Sequence, residues 1–447
     1  MYKYVFPLAL ALMVLGLIQT PNLKAQNADS AAIMREINAL KSSYEARLKA
    51  LEARISVLNQ QTKAAKSKNT VKGTSIRKIK NNSFNPSIGI VLNGKISDYS
   101  KAASEIAGFG VAHEGERGRE GLAIGETELN FSANADNRFY GSMTAAIVRE
   151  DGSDKVELEE AYVETLPGLG LPGGVRIKAG RAFWSLGYLN EIHAHSDDFS
   201  DRPLPYRVYL NKGYNDDGVQ MSLVLPTDRY LEVGTGLFRG DDFPFGSSTS
   251  GRSAHSAFVR TGGDIGNNTS WRLGASALIG TTDGRKSNED AVTFVGDSNL
   301  YAVDARVILK PSGNPKAREL ILQGEYFRRD EDGQYSDTEN SASDVNFNDT
   351  SAGFYAQAVL KTSPSWRIGA RYSKLSPAEV PSGLVGTSLD SAGHDPVTYS
   401  VMTDWTSSEY GRLRLQYNRE EFATNDHDNQ IVLQYVVSLG AHGAHPF

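Results

Sequence analysis

The chain contains no cysteine in 447 residues. That absence excludes disulfide bridges, thiolate-metal centres and a lipid-anchored amino terminus. Long apolar runs are also missing after the first two dozen residues; the mean hydropathy is −0.38 and the formal charge −6, so no helical membrane span is expected. Motifs of catalysis are absent too: there is no nucleophile with a paired base, no phosphate-cradling glycine loop and no two-histidine zinc helix. Glu157, Glu159, Glu160 and Glu164 cluster, but strict alternation along a strand divides them between two faces and forms no acid–base pair. The expectation is a protein that is not an enzyme, holds no cofactor and has no nucleic-acid partner.

At the amino terminus, Lys3 precedes an apolar run from Val5 to Ile18, and Pro21 to Ala25 can carry a cleavage site. A run this short reads as a secretory signal peptide over residues 1–25. Residues 26–60 follow with Ile33, Ile37, Leu40, Tyr44, Leu48, Leu51, Ile55 and Leu58 spaced by fours and threes. This narrow apolar seam predicts a periplasmic coiled coil of about 40 Å at roughly 1.5 Å per residue. The consecutive fours from Leu40 to Leu48 mark a stutter that unwinds the supercoil. Residues 61–83 are polar and basic, with Lys63, Lys66, Lys68, Lys72, Arg77, Lys78 and Lys80 and no acidic residue. They predict a flexible linker suited to anionic surfaces such as cell-wall polymer.

What the remaining chain, 84–447, does contain is alternation. Trp271, Leu273, Ala275, Ala277 and Ile279 share one face of a segment whose other face carries Arg272, Gly274 and Ser276. Tyr301, Val303, Ala305 and Val307 oppose Asp304, Arg306 and Lys310 in the same way, and Trp366, Ile368, Ala370 and Tyr372 oppose Arg367 and Arg371. A period of two places successive side chains on opposite faces of a strand. About sixteen such segments begin near residues 87, 122, 138, 155, 174, 218, 229, 253, 269, 299, 318, 351, 365, 396, 410 and 430. Short links at 135–137, 226–228, 362–364 and 407–409 alternate with long ones at 99–121, 184–217, 239–252, 281–298, 330–350 and 376–395. An even strand count with short periplasmic turns and long external loops defines an all-β fold, a transmembrane antiparallel β-barrel with its amino terminus in the periplasm. Tyr230, Trp271, Trp366 and Tyr410 near one end of the strands, and Tyr301, Tyr326, Tyr372 and Tyr399 near the other, fit two interfacial girdles.

Alternation also assigns lumen-facing charges: Arg176, Lys178, Arg272, Arg306, Arg367, Arg371, Arg412 and Arg414 against Glu126, Glu128, Glu232 and Asp304. A guanidinium row would attract anions, whereas Asp330, Glu331, Asp332, Asp337 and Glu339 form an acidic external link that opposes a uniformly anion-attracting mouth. The third external link, 184–217, is long enough to fold into the barrel. Its Glu191, His193, His195, Asp197, Asp198, Asp201, Arg202, Arg207 and Lys212 are the candidate constriction. His193 and His195 alternate on an extended chain but lack a third fixed ligand, so they read as a hydrogen-bonded pair and no metal is assigned.

Several segments carry a family resemblance: Phe84-Asn85-Pro86 opening the first strand, residues 121–134, Tyr188-Leu189-Asn190-Glu191 with His193-Ala194-His195, Asp217-Gly218-Val219-Gln220, and Ser438-Leu439-Gly440 through His445-Pro446-Phe447. On these the chain resembles the Gram-negative outer-membrane porins, and is similar in particular to the phosphate-selective type. The resemblance implies a homotrimer of water-filled channels in outer-membrane lipid with an in-folded third loop. It does not extend to phosphate specificity, since no arginine here matches that type's anion ladder. Two functions fit: passive diffusion of small hydrophilic solutes or ions, filtered by the third loop, or an envelope tether that joins outer membrane to cell wall through the coiled coil and linker.

Overall fold

A computed structural model describes residues 86–440, apart from 103–104, 151–152, 247–250, 252, 312–317 and 409. The signal peptide, the coiled coil, the basic linker and the tail bearing His442, His445 and Phe447 lie outside the described residues.

Seventeen strands form one antiparallel sheet. They are β1 (Ser87–Tyr99), β2 (Gly121–Ile124), β3 (Thr127–Asn134), β4 (Phe139–Glu150), β5 (Ser153–Thr165), β6 (Val175–Phe183), β7 (Asn215–Val224), β8 (Tyr230–Phe238) and β9 (Ala254–Ile265). There follow β10 (Thr269–Ser287), β11 (Val292–Leu309), β12 (Glu319–Asp337), β13 (Ala342–Lys361), β14 (Trp366–Ser376), β15 (Val397–Ser408), β16 (Gly411–Ala423) and β17 (Asp426–Gly440). β2 and β3 pair with successive stretches of β1, Gly94↔Ile124 and Val91↔Glu128, and are two pieces of one stave broken at Gly125 and Glu126. The last strand returns to the first, with Lys95 opposite Gln434. The result is a closed transmembrane barrel of sixteen staves whose first and last staves both end at the side of the short links.

Its hydrophobic side faces outward. Leu273, Val303, Ile368 and Val401 are exposed, while residues of the opposite parity on the same strands, such as Asp304, Arg371 and Ser400, are buried inside. Tyr230, Tyr301, Tyr326, Trp366, Tyr399 and Tyr410 lie on this outer surface, as rings at a lipid interface do.

The strands depart from expectation on the long-loop side. Residues 281–298 and 330–350 are not loops: β10 runs to Ser287, β11 starts at Val292, β12 reaches Asp337 and β13 begins at Ala342. These strands have 18 to 20 residues, about twice the 9–11 that span a bilayer. Their outer halves therefore stand clear of the lipid, where the outward face no longer needs to be apolar and apolar side chains turn inward instead, so the membrane pattern of alternation is lost. Asp330, Glu331, Asp332 and Asp337 thus belong to a strand rather than to a loose acidic link. Inside this extension Val292, Phe294, Tyr335 and Phe347 form a second core, capped by Leu384 and Leu389 of the link 377–396.

Candidate functional site

The third long link, residues 184–214, enters the lumen, and the molecule's largest apolar cluster forms around it. After two short 3-10 turns, Leu189–Glu191 and Ala194–Ser196, its α-helix, α1 (Leu204–Leu210), is buried along its whole length. Trp184, Leu186, Leu189, Tyr206 and Tyr209 pack with Ile106 and Phe109 of the first link and with Phe327, Tyr355 and Leu375 of the wall. At the tip, Phe199 seats on Ile321, Val359 and Met402, an apolar patch of the inner wall that strict polar alternation would not place there.

Polar contacts then stitch the loop around the barrel. Asp201 accepts hydrogen bonds from Arg371 (2.7 Å), Gln416 (2.5 Å) and Asn418 (3.1 Å). Arg367 bridges Asp198 at 2.7 Å and Asp404 at 2.6 Å. Arg414 donates to the Asp197 carbonyl (2.7 Å) and Arg412 to that of His195. Lys95 donates to the Ser200 carbonyl at 2.7 Å. On the opposite side Glu191 pairs with Arg260 of β9 at 2.6 Å, while Arg207 returns to β16 and pairs with Glu420 at 2.8 Å. Arg202 stays within the loop, on Asp197 and on the Leu189 and Ile192 carbonyls. Lys212 acts electrostatically on Glu114, whose carboxyl burial pushes up and Lys212 pulls back.

The loop's entry is shaped by Glu325 of β12, to which sequence reading assigned no role. Its carboxylate accepts from the backbone of Tyr188 (2.8 Å) and Leu189 (3.1 Å) and from the hydroxyls of Tyr206 (3.0 Å) and Tyr355 (2.6 Å). Gly187, with φ +66°, makes this turn possible, because a Cβ there would lie 2.1 Å from the Glu325 carboxylate.

The inward arginines therefore do not form a free row. Arg272 approaches Asp304 at 3.7 Å, Arg306 donates to Gln323, and both guanidinium groups stack 4.8 Å from the Tyr188 ring. Arg176 reaches Glu164 and Glu232 near the short-turn mouth, and Lys178 lies 4.3 Å over Tyr162. Asp201 is held below the usual carboxylate range: burial alone would raise it, but Arg371 and the Gln416 hydrogen bond outweigh that.

One expectation is corrected at β5. The register shifts between Thr144 and Ala145, which face Glu160 and Leu158, so Glu159 is the extra residue of a bulge. Glu159 and Glu160 consequently both reach His193, at 3.5 and 3.0 Å, instead of facing opposite ways. Glu128 of β3 contacts His193 at 3.2 Å and His195 at 2.7 Å, and Glu126 joins this carboxylate cluster.

A closed sixteen-stave barrel with a loop folded into it is a recognised membrane architecture, and comparison of the chain with known proteins agrees at the level of fold. The outer membrane channel DcaP of Acinetobacter baumannii superimposes with a TM-score of 0.50, covering 81% of this chain and 99% of its own at 14% identity. OprB of Pseudomonas putida gives 0.51, covering 80% and 94% at 11% identity. In sequence, an uncharacterized protein of Aquifex aeolicus (strain VF5) is 29% identical over 397 residues, 81% of this chain and 80% of its own length. No protein-family model matches the chain.

Proposed function

We propose that this protein is an outer-membrane porin through which small hydrophilic solutes or ions diffuse passively, with the third loop as the filter. The observation that carries the reading is the closed barrel, greasy outside and polar within, with residues 184–214 folded into its lumen. Diffusion through such a lumen needs neither energy coupling nor catalysis. Membrane lipid surrounds the staves, and three copies associate, as the family resemblance implies. The first stave begins on the short-turn side, which in this orientation is the periplasm, and we assign the segment 26–83 to that compartment, where its basic linker suits contact with cell-wall polymer.

Charge preference follows from the pairing. Asp198, Asp201 and Glu191 neutralise Arg367, Arg371 and Arg260, so the channel is not the strong anion conductor that a bare guanidinium row would create. Phosphate specificity forms no part of the proposal. Conductance of the refolded protein in a planar bilayer, with a salt gradient to read the reversal potential, tests all of this. Stepwise currents with a modest reversal potential are expected. Electrical silence from correctly folded barrel refutes the channel.

A further inference from the structure

We propose that Glu128, His193 and His195, flanked by Glu159, form a binding site for a divalent transition-metal ion of the zinc class, which pins the third loop to β3. The three donors come from two separate elements: His193 and His195 project from the loop and Glu128 from β3. Both histidines turn Nδ1 toward Glu128, one to each carboxylate oxygen, and Glu159, in the bulge of β5, flanks His193 Nδ1 at 3.5 Å. The 3.2 Å separation of His193 from Glu128 matches the edge of a tetrahedron, about 3.3 Å for metal–ligand bonds of about 2.0–2.1 Å, and water can complete the set. The shorter 2.7 Å contact of His195 opens by a few tenths of an ångström when an ion enters.

A second observation is the arrangement behind the ligands. His193 Nε2 lies 3.0 Å from the Glu160 carboxylate. Such a carboxylate behind a ligating imidazole fixes the tautomer that leaves the other ring nitrogen free to bind metal. Phe183 packs edge-on against the same ring, with centroids 5.2 Å apart, and holds its plane.

Charge balance favours a cation as well. Glu126, Glu128, Glu159 and Glu160 crowd two imidazoles, and three of these carboxylates touch His193. Four carboxylates exceed the charge that two imidazoles can offset, a surplus that a divalent ion balances, and imidazole with carboxylate suits zinc and its neighbours rather than calcium or magnesium. The bulge sets Glu159 and Glu160 on the same side, so both add to this surplus. The site does not depend on the channel reading, because binding is read without current.

The experiment is zinc titration of the refolded full-length chain by calorimetry, in a background carrying H442A and H445A so that the tail does not contribute. One ion per chain is expected, with protons released on binding. E160Q should weaken binding by about 10–100-fold, and the H193A/H195A pair should abolish it in protein whose barrel still migrates as the compact, heat-modifiable form. Cobalt should give the intense ligand-field absorption of a tetrahedral site in the unmutated background, which needs no variant of the site to fold. Absence of stoichiometric zinc uptake by folded protein overturns the site, as does uptake unchanged in E160Q and in H193A/H195A.

Discussion

Asp201 joins more of the barrel wall than any single acid of the third loop, through Arg371, Gln416 and Asn418. Buried ion pairs add little net stability, but removing one partner strands the other. D201A should therefore unseat the loop tip at a cost of about 3–5 kcal/mol. Trypsin cleavage at Arg207, buried in the intact protein, should become readily detectable while the barrel remains folded. Asp242, in the link between β8 and β9, titrates differently. Burial, reinforced by Asp216 and opposed by Arg181, pushes its carboxyl up to about 7. Between the ordinary value of about 4 and 7, the closed link holds a proton that an opened link releases, so closure strengthens as pH falls from 8 to 5. Trypsin cleavage at the exposed Arg239 should slow over the usable part of that range relative to a peptide control, and D242N should remove the dependence.

Among the elements, the strands were the most legible part of the sequence. Thirteen of the sixteen expected starts fall within three residues of where the strands begin, because lipid on one side and polar groups on the other impose a strong period of two. β11 and β13 begin at Val292 and Ala342 rather than at 299 and 351 because their outer halves leave the lipid and lose that contrast. The inward parity of Arg367, Arg371 and Arg414 was readable for the same reason. Their partners were not: Asp198 and Arg367 are 169 residues apart, and no local pattern links them. The Glu159 bulge was invisible too, since one extra residue in a polar stretch leaves no periodic trace. The projecting hairpins should also be separable from the lumen. Arg285 bonds Glu331 at 2.6 Å and Tyr335 at 2.8 Å within the second core. R285A should speed hydrogen exchange in β11 and β12 beyond the membrane, with single-channel conductance unchanged.

For the whole molecule, the porin reading predicts conductance steps grouped in threes and a particle of three chains by light scattering. Removal of residues 27–82 should leave the current steps intact, because every stave and every loop contact described above comes from residues 86–440. If an envelope phenotype disappears in that deletion while conductance persists, the tether function resides in the amino-terminal segment and coexists with the channel.

The third loop draws partners from β1, β3, β5, β9, β12, β14 and β16. Lys95 and Arg414 come from opposite ends of the barrel sequence, and neither can present its inner face to the loop until the first and last staves have met. Ring closure must therefore precede seating of the third loop. Contacts of such long sequence separation form late because the intervening chain must first be ordered. During refolding, the compact gel form should accumulate ahead of trypsin resistance at Arg207, so a newly closed barrel passes through a stage in which its lumen is still empty of the loop.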